Sequence, residues 1–237
     1  MATLAIETSG FTGGVAILAR DDLSAELLVG SKSTYSRRLI RAIIFLLKET
    51  GLGWHDVDTV AVSLGPGSFT GLRIGLSSAK GLCLATGASI IGVPTLDILA
   101  QNASFAINDG LICPVIDARR GQIYCALYRP GQSWAKRISE YLVIRPHELA
   151  DHVLGSSQII FLGSALEHYG HELVELLGNR AVITPRHLWY PRPIVCASMG
   201  KDMVSSGQGP QDPVTLSPLY LRLSEAEEKK KANEKAD

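Results

Sequence analysis

The sequence predicts an α/β fold of two lobes, each a mixed β-sheet flanked by helices. Three observations predict it. Apolar runs of strand length alternate with helical patterns, the order of elements is repeated, and each copy opens with a strand that ends on an acid before a tight turn. Those ends are Glu7-Thr8-Ser9-Gly10 in the first copy and Asp117-Ala118-Arg119-Arg120-Gly121 in the second. In the first copy, strands are expected at 3–7, 13–19 and 23–29, a helix at 36–50, a strand at 58–64 and a helix at 70–86. A strand at 89–93 and a helix from 94 to about 104 complete it. The second copy has strands at 111–117, 121–128 and 133–140, a helix near 146–154, a strand at 158–162 and a helix at 164–177. Val182-Ile183, a helix at 193–206 and a Gly/Pro-rich connection at 207–213 follow. The expected division is a lobe at 1–104, a second lobe at 105–223 whose last element packs back on the first, and a charged, disordered tail at 224–237. That tail has no aromatic residue and no apolar residue larger than alanine.

Whole-chain quantities exclude several classes. The 237 residues include 23 Lys and Arg against 23 Asp and Glu, so no global positive field draws the chain to nucleic acid or to an anionic membrane. No apolar run approaches the ~20 residues that span a bilayer. The start, MATLAIETSG, carries an acid where a signal peptide carries basic residues. Cys83, Cys113, Cys125 and Cys196 are scattered through apolar surroundings without a CxxC pair. They read as buried thiols of a reducing cytosol, and the expected location is cytoplasmic.

The most informative run is GPGSFTGLRIG at 65–75, between a strand and a helix. Gly65, Gly67 and Gly71 allow backbone angles and close approaches that a Cβ blocks, Pro66 stiffens the turn, and Ser68 or Thr70 can cap the helix. Two readings stand at this point: an anion cradle at a helix N-terminus, or a tight turn that sets helix packing. A P-loop is excluded, because Leu72-Arg73 follow the last glycine where Lys and Ser or Thr are required.

Two helices carry more apolar surface than one core face needs. On 36–50, Leu39, Ile40, Ile43, Ile44, Leu46 and Leu47 fill an arc of roughly 160°. On 70–86, Leu72, Leu76, Ala79 and Cys83 form one stripe, while Ile74, Gly75, Ser78, Gly81, Leu82 and Ala85 run round much of the rest. Each interior glycine costs about 1 kcal/mol relative to alanine, so Gly75 and Gly81 imply a close backbone approach. Either both helices are sandwiched inside their own domain, or a partner covers them.

The loop at 65–75, its continuation Leu76-Ser77-Ser78-Ala79-Lys80-Gly81-Leu82, Val93-Pro94-Thr95-Leu96-Asp97, Asp117 to Tyr124 and the terminal Pro218-Leu219-Tyr220-Leu221-Arg222 together resemble the TsaB (YeaZ) family. The likeness covers nearly the whole chain, with the second lobe more weakly matched. It implies a duplicated ASKHA (actin/hexokinase-like) fold and a non-catalytic role beside TsaD, which transfers threonylcarbamoyl to the adenine next to the tRNA anticodon, with TsaE completing the assembly. It implies contact with TsaD through Leu39, Ile40, Ile43, Ile44, Leu47, Leu72, Ile74, Gly75, Ser78 and Leu82, while Gly65, Pro66, Gly67, Ser68, Phe69, Thr70, Gly71 and Arg73 form a structural loop. A homodimer is expected when the chain is alone, and tRNA is expected to be met through the complex. Replacing Gly75 by leucine is expected to block the complex and leave the fold intact.

Residues for independent chemistry are sparse. Of six histidines only His168 and His171 have helical ligand spacing, without an HExxH, so no metal is expected. Glu7, Thr8, Ser9, Asp117 and Arg119 form a degenerate nucleotide cleft. Relatives mostly have Asp where Glu7 stands, and Arg119 and Arg120 stand where a Gly-rich turn would admit phosphate. No intrinsic cofactor is expected; a nucleotide at the TsaD junction stays open. The rival reading is an independent ATPase or sugar-kinase relative using Glu7, Thr8, Ser9 and Asp117. Arg37, Arg38 and Arg41, with Lys32 and Lys48, form either a basic edge for tRNA or a solvated helix face.

Overall fold

The computed structural model describes residues 2–19, 23–30, 35–104, 110–153, 155 and 158–222. The expected tail at 224–237 and Lys32 lie outside the described residues.

The first sheet comprises β1 (Ala2–Glu7), β2 (Thr12–Leu18), β3 (Ser24–Gly30), β4 (Val57–Gly65) and β5 (Ser89–Pro94), in the order β3-β2-β1-β4-β5. β1, β2 and β3 form an antiparallel meander, while β1, β4 and β5 run parallel through α1 (Tyr35–Thr50) and α2 (Phe69–Thr86). α3 (Thr95–Ala100) then leads to a second sheet of β6 (Leu111–Arg119), β7 (Gln122–Cys125), β10 (Leu142–Ile144), β11 (Ile159–Leu162) and β12 (Ala181–Ile183), with β8 (Tyr128–Arg129) and β9 (Lys136–Arg137) as an annex. Its main path, β10-β7-β6-β11-β12, repeats the pairing order and directions of the first. The duplication is therefore topological as well as sequential.

The two faces of the first sheet differ because strand side chains alternate. Leu4, Ile6, Val15, Ile17, Val60, Val62 and Ile90 pack under α1 and α2. Ala5, Ala16 and Ala61 turn to the other face, where small side chains let a helix approach closely. That helix is α6 (Pro193–Ser205), from the end of the chain, which packs on all five strands of the first sheet. A Cβ on Gly200 of α6 would stand 2.7 Å from the Ala61 Cβ.

The structure corrects the second copy. The third meander strand is β10, not 133–140, and 121–128 divides into β7 and β8. The intervening segment is drawn instead onto α3 of the first lobe. The Tyr128 and Tyr141 hydroxyls donate to Asp97 at 2.5 and 2.9 Å, and Gln101 Oε1 accepts from the Ala135 N–H at 2.7 Å. The helix near 146–154 is one 3-10 turn, Pro146–Glu148, and the short α4 (Leu149–His152). α5 (Leu166–Leu177) covers the second sheet.

Residues 211–222 form a strap along the first lobe. The Gln211 N–H donates to Ile90 O on the β5 edge, and the Leu219 N–H donates to Leu64 O on β4. Leu216 packs on the core, and Arg222 Nη1 reaches Ala118 O of the other lobe at 3.4 Å.

Candidate functional site

The 65–75 run is built to press on the β1–β2 hairpin. Gly65 has φ 110°, open only to glycine at no cost, and its N–H donates to Thr95 Oγ1 at 3.1 Å. The Ser68 N–H donates to Ser9 O at 2.6 Å, while Ser68 Oγ caps α2 by accepting from the Gly71 N–H at 3.2 Å. Thr8 Oγ1 in turn donates to Gly71 O at 2.8 Å. Cβ atoms on Gly67, Gly71 and Gly75 would overlap Ser9 O, Thr8 O and Thr8 Oγ1 respectively. The row of glycines is thus a groove for Thr8-Ser9, and the engaged N–H groups of Gly65, Ser68 and Gly71 are not offered to an anion. Arg73 lies over the Phe69 ring at 3.8 Å and donates to the Tyr220 hydroxyl at 3.0 Å, tying the strap to the same loop. Thr70 is exposed.

Glu7, Thr8 and Ser9 are all buried. Glu7 Oε1 accepts from the Ser9 N–H and Oγ, each at 2.6 Å, while Oε2 is buried without a partner. Burial pushes the Glu7 carboxyl up to about 7, against the lowering effect of the Ser9 bonds. A metal-organising carboxylate needs to face the cleft; this one faces the interior.

Across the cleft, Arg119, Arg120 and Gly121 are three successive left-handed residues of a hairpin turn, at φ 64°, 55° and 76°, with the strand register shifting between Asp117 and Arg119. Asp117 accepts from the Arg119 N–H at 2.8 Å and pairs with its guanidinium at 3.3 Å, so it serves its own turn. Between the hairpins lies a cleft of about 590 Å³ edged by Phe11, Phe69, Arg119, Tyr124 and His168. His171 pairs with Glu175, and no group of three or more His, Cys, Asp or Glu among the described residues could hold a metal.

The second candidate surface is the outside of α1 and α2, and here the expected partner set divides. Leu39, Ile43, Leu47 and Leu72 are buried in the core of the first lobe, and Gly75 lies against Thr8 and Ile6. These five belong to the chain's own packing, which corrects both the contact set and the expectation that leucine at Gly75 spares the fold. Ile40 and Ile44 are 42% and 51% exposed, and Phe45 beside them is 51% exposed. Ile74, Ser78 and Leu82 are half-buried on α2, with Gly81 and Ala85 open at the surface. Among the described residues no atom outside its own stretch of helix lies within 4 Å of a Cβ built on Gly81, so the packing described gives no reason for glycine there.

The other flank of α2 is covered by the strap, where Lys80 Nζ donates to Val214 O at 3.2 Å. Periodicity could not reveal that cover, although the strap's Leu219-Tyr220 stood out in the sequence. Arg37, Arg41 and Lys48 are exposed on α1, but Arg38 is drawn in, donating to Val29 O at 3.3 Å and lying 4.5 Å over the Tyr35 ring.

A duplicated α/β fold of this order is that of the actin and hexokinase class. ROK hexokinase from Thermus thermophilus superposes with a TM-score of 0.51 at 11% identity, over 86% of this chain and all of that one, a likeness of fold alone. YeaZ from Pseudomonas aeruginosa superposes with a TM-score of 0.80 at 26% identity, covering 93% of this chain and 99% of that one. The family model described as "TsaD: tRNA N6-adenosine threonylcarbamoyltransferase" matches residues 31–167. The tRNA threonylcarbamoyladenosine biosynthesis protein TsaB of Bacillus subtilis is 33% identical over 230 residues, 97% of each chain. The TsaB of Escherichia coli is 30% identical over 78% of this chain and 82% of its own length. The chain belongs to the TsaB family.

Two outcomes follow from this geometry. Gly75→Leu should lower stability by roughly 3 kcal/mol or more in denaturant unfolding, since leucine meets Thr8 and the sheet. Glu7 titrates near 4.5 unfolded and near 7 folded. Its ionised form therefore opposes folding: the penalty is absent below pH 4.5, grows up to about pH 7 and is constant above, reaching at most about 3 kcal/mol. Glu7→Gln should gain stability relative to the wild type across that window, checked by unfolding at pH 5 and pH 8.

Proposed function

We propose that this chain is the accessory subunit of tRNA threonylcarbamoyladenosine formation, presenting the outer faces of α1 and α2 to TsaD. Gly81 is the observation that carries the reading. A solvent-facing glycine inside a helix costs about 1 kcal/mol, and close approach by a second molecule is the compensation its position allows. Ile40 and Ile44 on one helix and Ile74 and Leu82 on the other give that approach an apolar centre. A stable pairing of this kind covers about 800 Å² on each partner.

In this reading TsaD carries the transfer chemistry, TsaE completes the assembly, and tRNA is met through the complex. The chain alone needs no cofactor and transfers nothing. Any nucleotide is held at the TsaD junction and not by the occluded hairpin. Without TsaD the same face supports a homodimer, because exposed apolar surface is relieved by self-pairing. The setting is the cytoplasm, in keeping with four buried free cysteines.

Ile44→Asp should weaken TsaD binding by about 30-fold or more in calorimetric titration while leaving the unfolding midpoint near that of the wild type. Threonylcarbamoylation of tRNA by the mixed subunits should fall in parallel. Wild-type affinity in that variant refutes the reading.

A further inference from the structure

Beside the partner face lies a furrow of about 280 Å³ between α1 and the β2–β3 ribbon, walled by Val15, Leu27, Val29, Leu39, Ala42 and Phe45. Gly13 and Gly14 line it as well and put no side chain into it. Arg38 and Arg41 are the charged residues on its wall, and no carboxylate lines it among the described residues. Phe45 and Arg41 are also exposed on α1, so the furrow lies next to the surface of Ile40 and Ile44, across the edge formed by Arg37 and Arg41.

We propose that this furrow seats one large apolar side chain of the docked partner subunit, on a segment whose carboxylates face Arg41 and Arg37. The inference rests on the reading that α1 is the partner face. Size and lining set the first half: an apolar cavity of this volume has room for an aromatic or a large aliphatic side chain, the kind of anchor that dominates interfaces. Charge sets the second half. Arg37 and Arg41 make no ion pair among the described residues, and Lys48 extends the same positive edge. A second copy pairing through α1 about a two-fold axis, as in the homodimer expected without TsaD, leaves this edge facing like charge and is the weaker occupant, whereas an acidic segment complements it.

The test is calorimetric titration of the full chain with purified TsaD at low and at high salt. Ala42→Leu narrows the furrow, Phe45→Ala removes its outer wall, and Arg41→Glu reverses the charge at an exposed position that the fold does not use. Each should weaken TsaD binding by about 10-fold or more. Arg41→Glu should also remove much of the salt dependence seen with the wild type. If Ile44→Asp loses TsaD while these three bind it with wild-type affinity and salt dependence, the furrow is empty in the complex and the inference is overturned with the partner reading intact. If Ile44→Asp also binds normally, the partner reading fails and takes the inference with it. If the three variants weaken self-association in sedimentation but leave TsaD binding unchanged, the occupant is a second copy and the inference is again overturned.

Discussion

The contact on which the rest depends is the seating of Thr8-Ser9 in the glycine groove of 67–75. It joins three elements in one stroke: the end of β1, the loop after β4 and the first turns of α2. Because the groove is made of absent side chains, α2 lies closer to the sheet than any other residue type would allow. The same contact buries Glu7 and spends the N–H groups that a phosphate-binding hairpin would offer. One packing decision thus engages the hairpin's own polar groups and fixes the height at which α2 presents its outer surface.

What is left outside follows from how the remaining faces are covered. The alanine face of the first sheet is taken by α6, and the Arg73–Lys80 flank of α2 is taken by the strap through Tyr220 and Val214. α1 and α2 lie against each other, Ile74 and Leu82 pack partly on the core, and among the described residues Ile40, Ile44 and Gly81 stay exposed. The apolar surface available to a partner is therefore a narrow central strip, with the cationic edge of Arg37 and Arg41 on one side. Area of this kind contributes to association only after the entropy of docking is met, so a few well-seated side chains decide affinity.

Much of this was legible in the sequence. Alternation and helical period located the strands of the first copy and both long helices, because strong local pattern and tertiary packing agree there. The duplicated order gave the two-sheet architecture. The second copy was less legible, since Tyr128, Ala135 and Tyr141 follow anchors on Asp97 and Gln101, far away in sequence. Gly75 reads as a partner contact because the sequence shows that a glycine needs proximity, not to what. Its neighbour is Thr8, whereas a Cβ on Gly81 meets nothing within 4 Å outside its own stretch of helix among the described residues. Leu39, Ile43 and Leu47 fall in with Ile40 and Ile44 because a wide apolar arc does not mark where the core ends and the open face begins.

The central claim is that the working surface of this chain is the outer strip of α1 and α2 and not the cleft between the hairpins. Hydrogen exchange of the chain alone and in the presence of TsaD tests it most directly. The account predicts slowed exchange at peptides of 36–50 and 70–86, with the hairpin turns at 7–12 and 117–122 unchanged. Slowed exchange at the two hairpins, with both helices unaffected, would contradict it.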